Sequence, residues 1–265
     1  MNASRPVRLL LGAIMAAALL IMYGPFIYIF LASFFRLSRG RVQWDSFTFG
    51  WYAELWNNGK IIEALWNSLC VGFGAVFAAL VLGVLFALYQ RNSRSPLRHL
   101  HQIVIFIPFL LPPIITGLSL LIYFNGIGLN RSLVTVTIGH MIFVLALIYL
   151  TILTRLKALS DSLFEAAYDL GANRRQTLFL VVLPNLRTAL LTAAVLGLAL
   201  SFDETLITLF LVGNENTLPI RLWAMMRVGF TPEINALITL IMGFTVVVSI
   251  VVGGASRVPV GEGDR

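Results

Sequence analysis

"LSDSLFEAAYDLGANRRQTLFLVVLP", residues 159–184, interrupts a chain that otherwise alternates between long apolar runs and short polar links. Ser162-Leu163-Phe164-Glu165 has the spacing of a capping box, in which a serine covers a helix start and a glutamate reaches back. A short helix then runs to Leu170, and Gly171 suits the left-handed residue that closes it. Asn173-Arg174-Arg175-Gln176 reads as a second start signal, and Pro184 limits the helix that follows. The stretch is therefore expected to form two short helices around a glycine corner. Ala166, Ala167 and Gly171 keep one surface low, which lets another body approach closely. A short exposed helix of this kind fits a groove on a second protein; a self-packed loop is the alternative.

On either side the chain is built for lipid. Hydrophobic residues make up 58% of it and charged residues 12%, against roughly 45–50% and about 25% in soluble domains. A helix needs ~20 mostly apolar residues to cross the hydrocarbon. Six stretches qualify: 9–35, 63–89, 101–124, 132–154, 186–212 and 234–254. The first follows Arg5 and Arg8, but its apolar run exceeds the ~7–15 residues of a signal core, so it reads as a retained helix. The expected fold class is all-α: a polytopic membrane protein with six transmembrane helices, forming one domain over residues 1–265 with the 160–184 loop between the fourth and fifth spans.

Lys and Arg in the links set orientation. With the N-terminus inside, 12 of the 19 basic residues fall on the cytoplasmic side and 7 outside, so both termini and the 160–184 loop are expected in the cytoplasm. Arg36, Arg39 and Arg41 pull the other way. The formal charge of +7 lies beside apolar segments, where an anionic leaflet and its lipids attract it; this distribution argues against nucleic acid. Cys70 is the one cysteine, which excludes a disulfide framework and a zinc site. The first external link, "VQWDSFTFGWYAELW", carries Trp44, Trp51, Tyr52 and Trp56, rings that suit the headgroup level or a contact with an external partner. "FIPFLLPPIITG" places Pro108, Pro112 and Pro113 inside the third span, where they kink the helix and either shape a pathway or disturb packing.

"SFDETLITLF", residues 201–210, puts Asp203 and Glu204 into the fifth span. A carboxylate at the bilayer centre costs about 2.5–3.5 kcal/mol on insertion scales, and intramembrane acids mark a pathway or site. No basic residue lies within that span beyond Arg187 at its start. Ser201, Glu204, Thr205 and Thr208 recur at i, i+3, i+4 and i+7 and form one polar stripe, extended a turn lower by Gly197. On a regular helix Glu204 lines the cavity and Asp203 points sideways; a break near Ser201-Phe202 turns both inward. A mouth-level pair wetted by external water is the plain alternative. Carboxylates in a poorly solvated cavity stabilise a passing ammonium, and Tyr123, Phe124, Phe202 and Trp223 are aromatic candidates to assist, or simple packing. His140, in the fourth span, reads as a packed polar residue ahead of a proton relay.

"EAAYDLGANRRQTLFLVVLP" resembles the E-A-A-x-x-x-G signature in membrane subunits of ATP-binding-cassette importers, matching at Glu165, Ala166, Ala167, Gly171, Leu183 and Pro184. The resemblance implies a type I importer permease fold, with the loop as a cytoplasmic coupling helix on which Glu165, Ala166, Ala167, Asp169, Leu170 and Gly171 dock an ATPase. It implies no catalytic residue here: ATP and Mg belong to the ATPase subunits, and no G-x-x-x-x-G-K-[ST] loop occurs in the chain. "SFDETLITLFLVG", the run Val228, Gly229, Pro232, Glu233, Asn235, Ala236, and "FTFGWY" resemble the spermidine/putrescine branch. That branch implies polyamine binding by Asp203, Glu204, Ser201, Thr208, Tyr123 and Trp223. The implied partners are a second homologous permease, two ATPases and a periplasmic or lipid-anchored binding protein, in the bacterial inner membrane. Glu204 departs from the second aspartate of the branch, which bears on the choice among amines. The rival readings are another cationic or opine-like nutrient, a stand-alone carrier using the acids for protons or sodium, and a scaffold without cargo.

Overall fold

A computed structural model describes residues 5–38, 41–92, 97–228 and 232–255. Gly229 of the run above, Arg39, Arg94, Arg257, Arg265 and both chain ends lie outside these described residues. The chain divides into two compact units, one of residues up to Gly59 together with those from Leu222 on, the other Lys60–Arg221.

In the first unit, α1 (Arg5–Ala32) is an apolar helix of 28 residues. It stops before residue 35, because the chain turns into an antiparallel hairpin of β1 (Phe35–Ser38) and β2 (Arg41–Phe47). The chain departs from the all-α expectation at this hairpin. Leu37 pairs with Val42 and Phe35 with Phe47, so bulky side chains meet across the strands and stabilise the pairing. The tryptophan-rich link is thus a folded hairpin followed by α2 (Gly50–Asn57). Trp51 Nε1 donates to the Phe35 carbonyl at 2.9 Å, and Phe34 packs against the rings of Phe47, Phe49 and Tyr52.

The second unit is helical. α3 (Gly59–Asn92) runs unbroken for 34 residues. The third predicted span is not one helix. α4 (Arg98–Leu110) and α5 (Pro113–Gly126) meet at 105°. Consecutive prolines explain the size of the bend: each bars the helical conformation to the residue before it, and Leu111 and Pro112 are extended, with ψ of 144° and 133°. α6 (Leu133–Lys157) is the central element, opened by Ser132 and Thr135, which cap each other. Its Tyr149, Ile148, Ile152 and Leu156 are fully enclosed, packed with Val76, Ala79 and Ala87 of α3 and with Val182, Leu186 and Ala193 further on.

After α6 come α7 (Asp161–Asp169) and the one-turn α8 (Arg174–Gln176). The capping box assigned to Ser162 and Glu165 does not form. α7 starts earlier, after Ser160, whose side chain makes no cap bond, and the Ser162 hydroxyl donates to Ser160 Oγ instead. Asp161, in the first turn, is held by Arg91 at 2.7 Å, and that tertiary contact sets the entry of the chain. The other local signals hold. Gly171 has φ of +80°, and the Gly171 and Ala172 amides donate to the Tyr168 and Ala167 carbonyls, a complete Schellman closure. Asn173 and Gln176 cap each other at 3.0 and 2.8 Å. Pro184 does not limit the second helix. Residues 174–203 are helical throughout, with a π-helical turn at Thr177–Val182 ahead of α9 (Leu183–Asp203). The wider turn accommodates a proline that offers no amide to the turn below it, and Asn185 Nδ2 donates to the Val181 carbonyl at 2.7 Å.

α9 ends at Asp203, Glu204 is extended with ψ of 104°, and α10 (Leu206–Leu211) resumes after Thr205. The fifth predicted span is therefore broken, two residues beyond Ser201-Phe202. α10 is clasped between α5 and α6 at two glycines. A Cβ on Gly139 would come within 2.7 Å of Ile207 and Leu211, and one on Gly117 would stand 3.1 Å from the Ile207 backbone. Gly197 also serves close packing, against Ile148 and Val76.

α11 (Leu218–Val228) and α12 (Pro232–Ala255) complete the order. Among the described residues four helices are long and apolar enough to cross a bilayer: α1, α3, α6 and Arg174–Asp203. The bent α4–α5 pair passes the same test as one broken span, and α12 is apolar through Pro232–Val247.

Candidate functional site

The break at 203–205 organises the polar groups of the second unit. A broken helix strands amides and carbonyls, which in an apolar setting must find partners. Here the side chains supply them. Glu204 Oε1 accepts the Ile207 amide at 2.9 Å, Thr208 Oγ1 donates to the Glu204 carbonyl at 2.9 Å, and Thr205 Oγ1 donates to the Asp203 carbonyl at 3.2 Å. Glu204 is thus a cap for α10 as well as an acid, and it is 8% exposed. Asp203, one residue earlier, is exposed.

His140 of α6 spans the break. Its Nδ1 lies 2.8 Å from Ser201 Oγ and its Nε2 lies 2.8 Å from Thr208 Oγ1. Thr208 gives its only proton to the Glu204 carbonyl, so His140 Nε2–H donates to Thr208, while Nδ1 pairs with the Ser201 hydroxyl. One imidazole thereby ties α9 and α10 to α6. Replacing it, His140→Ala, strands the hydroxyl of the buried Ser201 and leaves a void. The expected cost is about 2–4 kcal/mol, read as a lower thermal unfolding midpoint of the detergent-purified protein. An unshifted midpoint contradicts the clamp.

Beside this network lies a recess with room for about one water, lined by Ser68, Val71, His140, Ser201, Phe202, Glu204, Thr217 and Pro219. Ser68 Oγ accepts the Leu218 amide at 2.8 Å and Asn67 Nδ2 donates to the Asn216 carbonyl at 3.0 Å. These two bonds fasten the 216–218 segment to α3 and bring Thr217 to the recess, where its buried hydroxyl has no partner among the described residues.

Of the residues singled out in the sequence, Ser201, Glu204 and Thr208 converge with His140, while Asp203 sits exposed at the end of α9. Tyr123 is 61% exposed on α5, its ring against the buried Phe124. Trp223 is exposed on α11, in the first unit. Sequence reasoning misses Ser68 and Thr217. For Ser68 a signal exists, since Asn67-Ser68 is a polar pair inside an apolar helix; for Thr217 the neighbourhood depends on the tertiary fold. In the 160–184 loop, Glu165, Ala166, Asp169, Leu170 and Gly171 are exposed and Ala167 is buried. The small residues therefore do not share one surface. Leu170, left 88% exposed, is the most exposed large apolar residue of the loop.

Comparison with known proteins gives a consistent pattern. Residues 79–258 match the family described as binding-protein-dependent transport system inner membrane component. The spermidine/putrescine transport system permease protein PotC of Escherichia coli (strain K12) is 32% identical over 246 residues, 92% of each chain. The putrescine transport system permease protein PotI of the same strain is 34% identical over 230 residues, 84% of this chain and 82% of that one. A putative 2-aminoethylphosphonate transport system permease protein, PhnV of Salmonella typhimurium (strain LT2), is 28% identical over 191 residues, 71% of this chain and 72% of its own. Among solved structures, a chain of a bacterial ABC transporter that imports the acidic polysaccharide alginate superposes with a TM-score of 0.75 at 18% identity, covering 97% of this chain and 100% of that one. At that identity the likeness establishes the fold alone.

Proposed function

The chain belongs to the family of binding-protein-dependent transport system inner membrane components, and from that premise we propose that it is the permease subunit of an ATP-driven importer through which polyamines cross the bacterial inner membrane. The observation that carries the reading is an acid pair at the break of an apolar helix. Glu204 is enclosed beside hydroxyls and His140, and Asp203 is open next to it. A diamine or triamine presents ammonium groups at intervals, which carboxylates stabilise by charge-assisted hydrogen bonds. Named relatives of this chain serve spermidine and putrescine, which favours that cargo.

In this reading the chain is one permease domain with six spans: α1, α3, the bent α4–α5, α6, the broken α9–α10 and α12. Both termini and α7 face the cytoplasm. Glu165, Ala166, Asp169, Leu170 and Gly171 dock an ATPase subunit, with Ala167 packing beneath them. ATP and Mg are bound by two such subunits, and a second homologous permease and an external binding protein complete the machine. ATP-driven movement at α7 opens the path alternately to the two sides. Asp203, Glu204, Ser201 and Thr208 attend the amine in transit, with Tyr123 as an aromatic contact.

The likeness to the aminoethylphosphonate permease supports a second reading, in which the same acids receive the ammonium of a zwitterion. Both are tested by radiolabelled spermidine uptake in cells with and without the chain, with putrescine and 2-aminoethylphosphonate as competitors. Chain-dependent spermidine uptake, displaced by putrescine and accompanied by a co-purifying ATPase, is the expected result. Displacement by the phosphonate alone moves the cargo to the second reading, and absence of the ATPase removes the importer.

A further inference from the structure

We infer that Arg91 is the positioning residue that passes movement of α7 to α3, and through α3 to the recess beside Glu204. The inference rests on the proposed role of α7 in docking an ATPase. It is carried by an independent observation: one guanidinium holds three helices at a single point. Arg91 stands in the last turn of α3. Its Nη1 donates to the Leu156 carbonyl at 2.9 Å, and its Nη2 donates to the Leu159 carbonyl at 3.2 Å and to Asp161 Oδ1 at 2.7 Å. Its Cζ lies 3.9 Å from the centroid of the Phe164 ring. Leu156 belongs to the last turn of α6 and Leu159 to the link that follows it; at such a helix end carbonyls lack intrahelical partners and a cation is favoured. Asp161 and Phe164 belong to α7.

This arrangement differs from a surface ion pair. The Arg91 side chain is 13% exposed, against 89% for Asp161, so the guanidinium is enclosed between its partners. Only arginine offers a planar fork that can bridge two carbonyls and a carboxylate while stacking on a ring. When α7 shifts, Asp161 and Phe164 carry Arg91 with them, and Arg91 is fixed to α3.

What α3 does with that displacement follows from its other end. The helix is unbroken, and at 1.5 Å per residue Ser68 lies about 35 Å from Arg91 along its axis. Ser68 lines the recess with Glu204 and holds the Leu218 amide, while the adjacent Asn67 holds the Asn216 carbonyl. A continuous helix bonded to α7 at one end and to the acid's surroundings at the other has the form of a lever.

The test uses the whole importer, with partner permease, ATPases and binding protein, reconstituted in liposomes. Spermidine delivered per ATP hydrolysed is measured for Arg91→Lys, Asp161→Asn and Phe164→Leu. Lysine keeps the charge and loses the fork; Asp161→Asn removes the charge of the pair, Phe164→Leu removes the ring under the guanidinium, and both leave Arg91 in place. Complexes of normal subunit composition and normal unfolding midpoint are expected to hydrolyse ATP while the delivery ratio falls roughly three- to tenfold. A merely structural role would lower yield or midpoint and leave the ratio alone. If Arg91→Lys fails to assemble, the α7 variants decide by the same ratio. A wild-type ratio in assembled variants overturns the inference and leaves the importer standing, whereas a wild-type preparation without ATPase overturns the docking role and this inference with it.

Discussion

The double substitution Asp203→Asn, Glu204→Gln is expected to lower spermidine and putrescine uptake by at least about a hundredfold, since each charge-assisted bond contributes about 1.5–3 kcal/mol and 1.4 kcal/mol is a factor of ten. The pair is chosen to conserve shape. The introduced glutamine keeps a carbonyl oxygen where Glu204 Oε1 now accepts the Ile207 amide, so the start of α10 stays capped. The introduced asparagine takes the exposed place of Asp203, which tolerates it. The companion variant Glu204→Ala removes cap and charge together, and loss of a cap costs about 0.5–2 kcal/mol. Transport lost at an unchanged unfolding midpoint in the amide double variant assigns the loss to charge. Undiminished uptake of both the diamine and the triamine would falsify the role given to the acids.

The contrast between the two carboxylates follows from where the helix breaks. On a continuous helix they would point about 100° apart. With α9 ending at Asp203, Glu204 turns into the protein, where an amide, Ser201, Thr208 and His140 surround it, and Asp203 remains open. Insertion of an unpaired intramembrane carboxylate is costly; for Glu204 the cost is offset by a fixed amide donor. Among the described residues no donor reaches the Asp203 carboxylate, the Thr205 hydroxyl being spent on its backbone carbonyl. In the proposed reading Asp203 is therefore the group free to meet an ammonium first.

The sequence allows a break here but does not mark its place. "LSFDETLITLF" contains neither proline nor glycine and carries a helical polar stripe, so local reasoning continues the helix. What ends it is tertiary: His140 from α6, and the fit of α10 against Gly117 and Gly139. The third span shows the opposite case. Pro112-Pro113 announces an irregularity, and only its size, 105°, needs the structure. The hairpin is legible in principle, since Gly40 sits between two runs rich in aromatic and aliphatic residues, but the tryptophans draw the reading towards an interfacial loop. Around α7, Gly171 and Asn173-Gln176 act through their own backbone and are readable. The Ser162 cap fails because its competitor, Arg91, comes from 70 residues away.

Gly171→Val is expected to remove most ATP-driven uptake while the permease still reaches the membrane. Gly171 has φ of +80°, and a Cβ there meets nothing within 4 Å. The penalty is therefore conformational, not steric. For an L-residue the left-handed region costs roughly 1–2 kcal/mol, and a β-branched one is a true outlier there. Relieving that strain opens the Schellman closure, in which Gly171 and Ala172 donate to Tyr168 and Ala167. The exposed face of α7 changes as a result: Leu170, Asp169 and Glu165 no longer share a fixed surface with Asn173-Arg174. Immunoblotting of membranes measures insertion, and ATPase recovered on the tagged permease measures docking, which should fall by roughly tenfold, the factor that 1.4 kcal/mol represents. Gly171→Asn is the control, because asparagine accepts the left-handed conformation, and it should restore most of the binding. Equal ATPase recovery from the wild type and the valine variant would show that the shape of this corner is irrelevant to docking, and would move the contact to another surface of the chain.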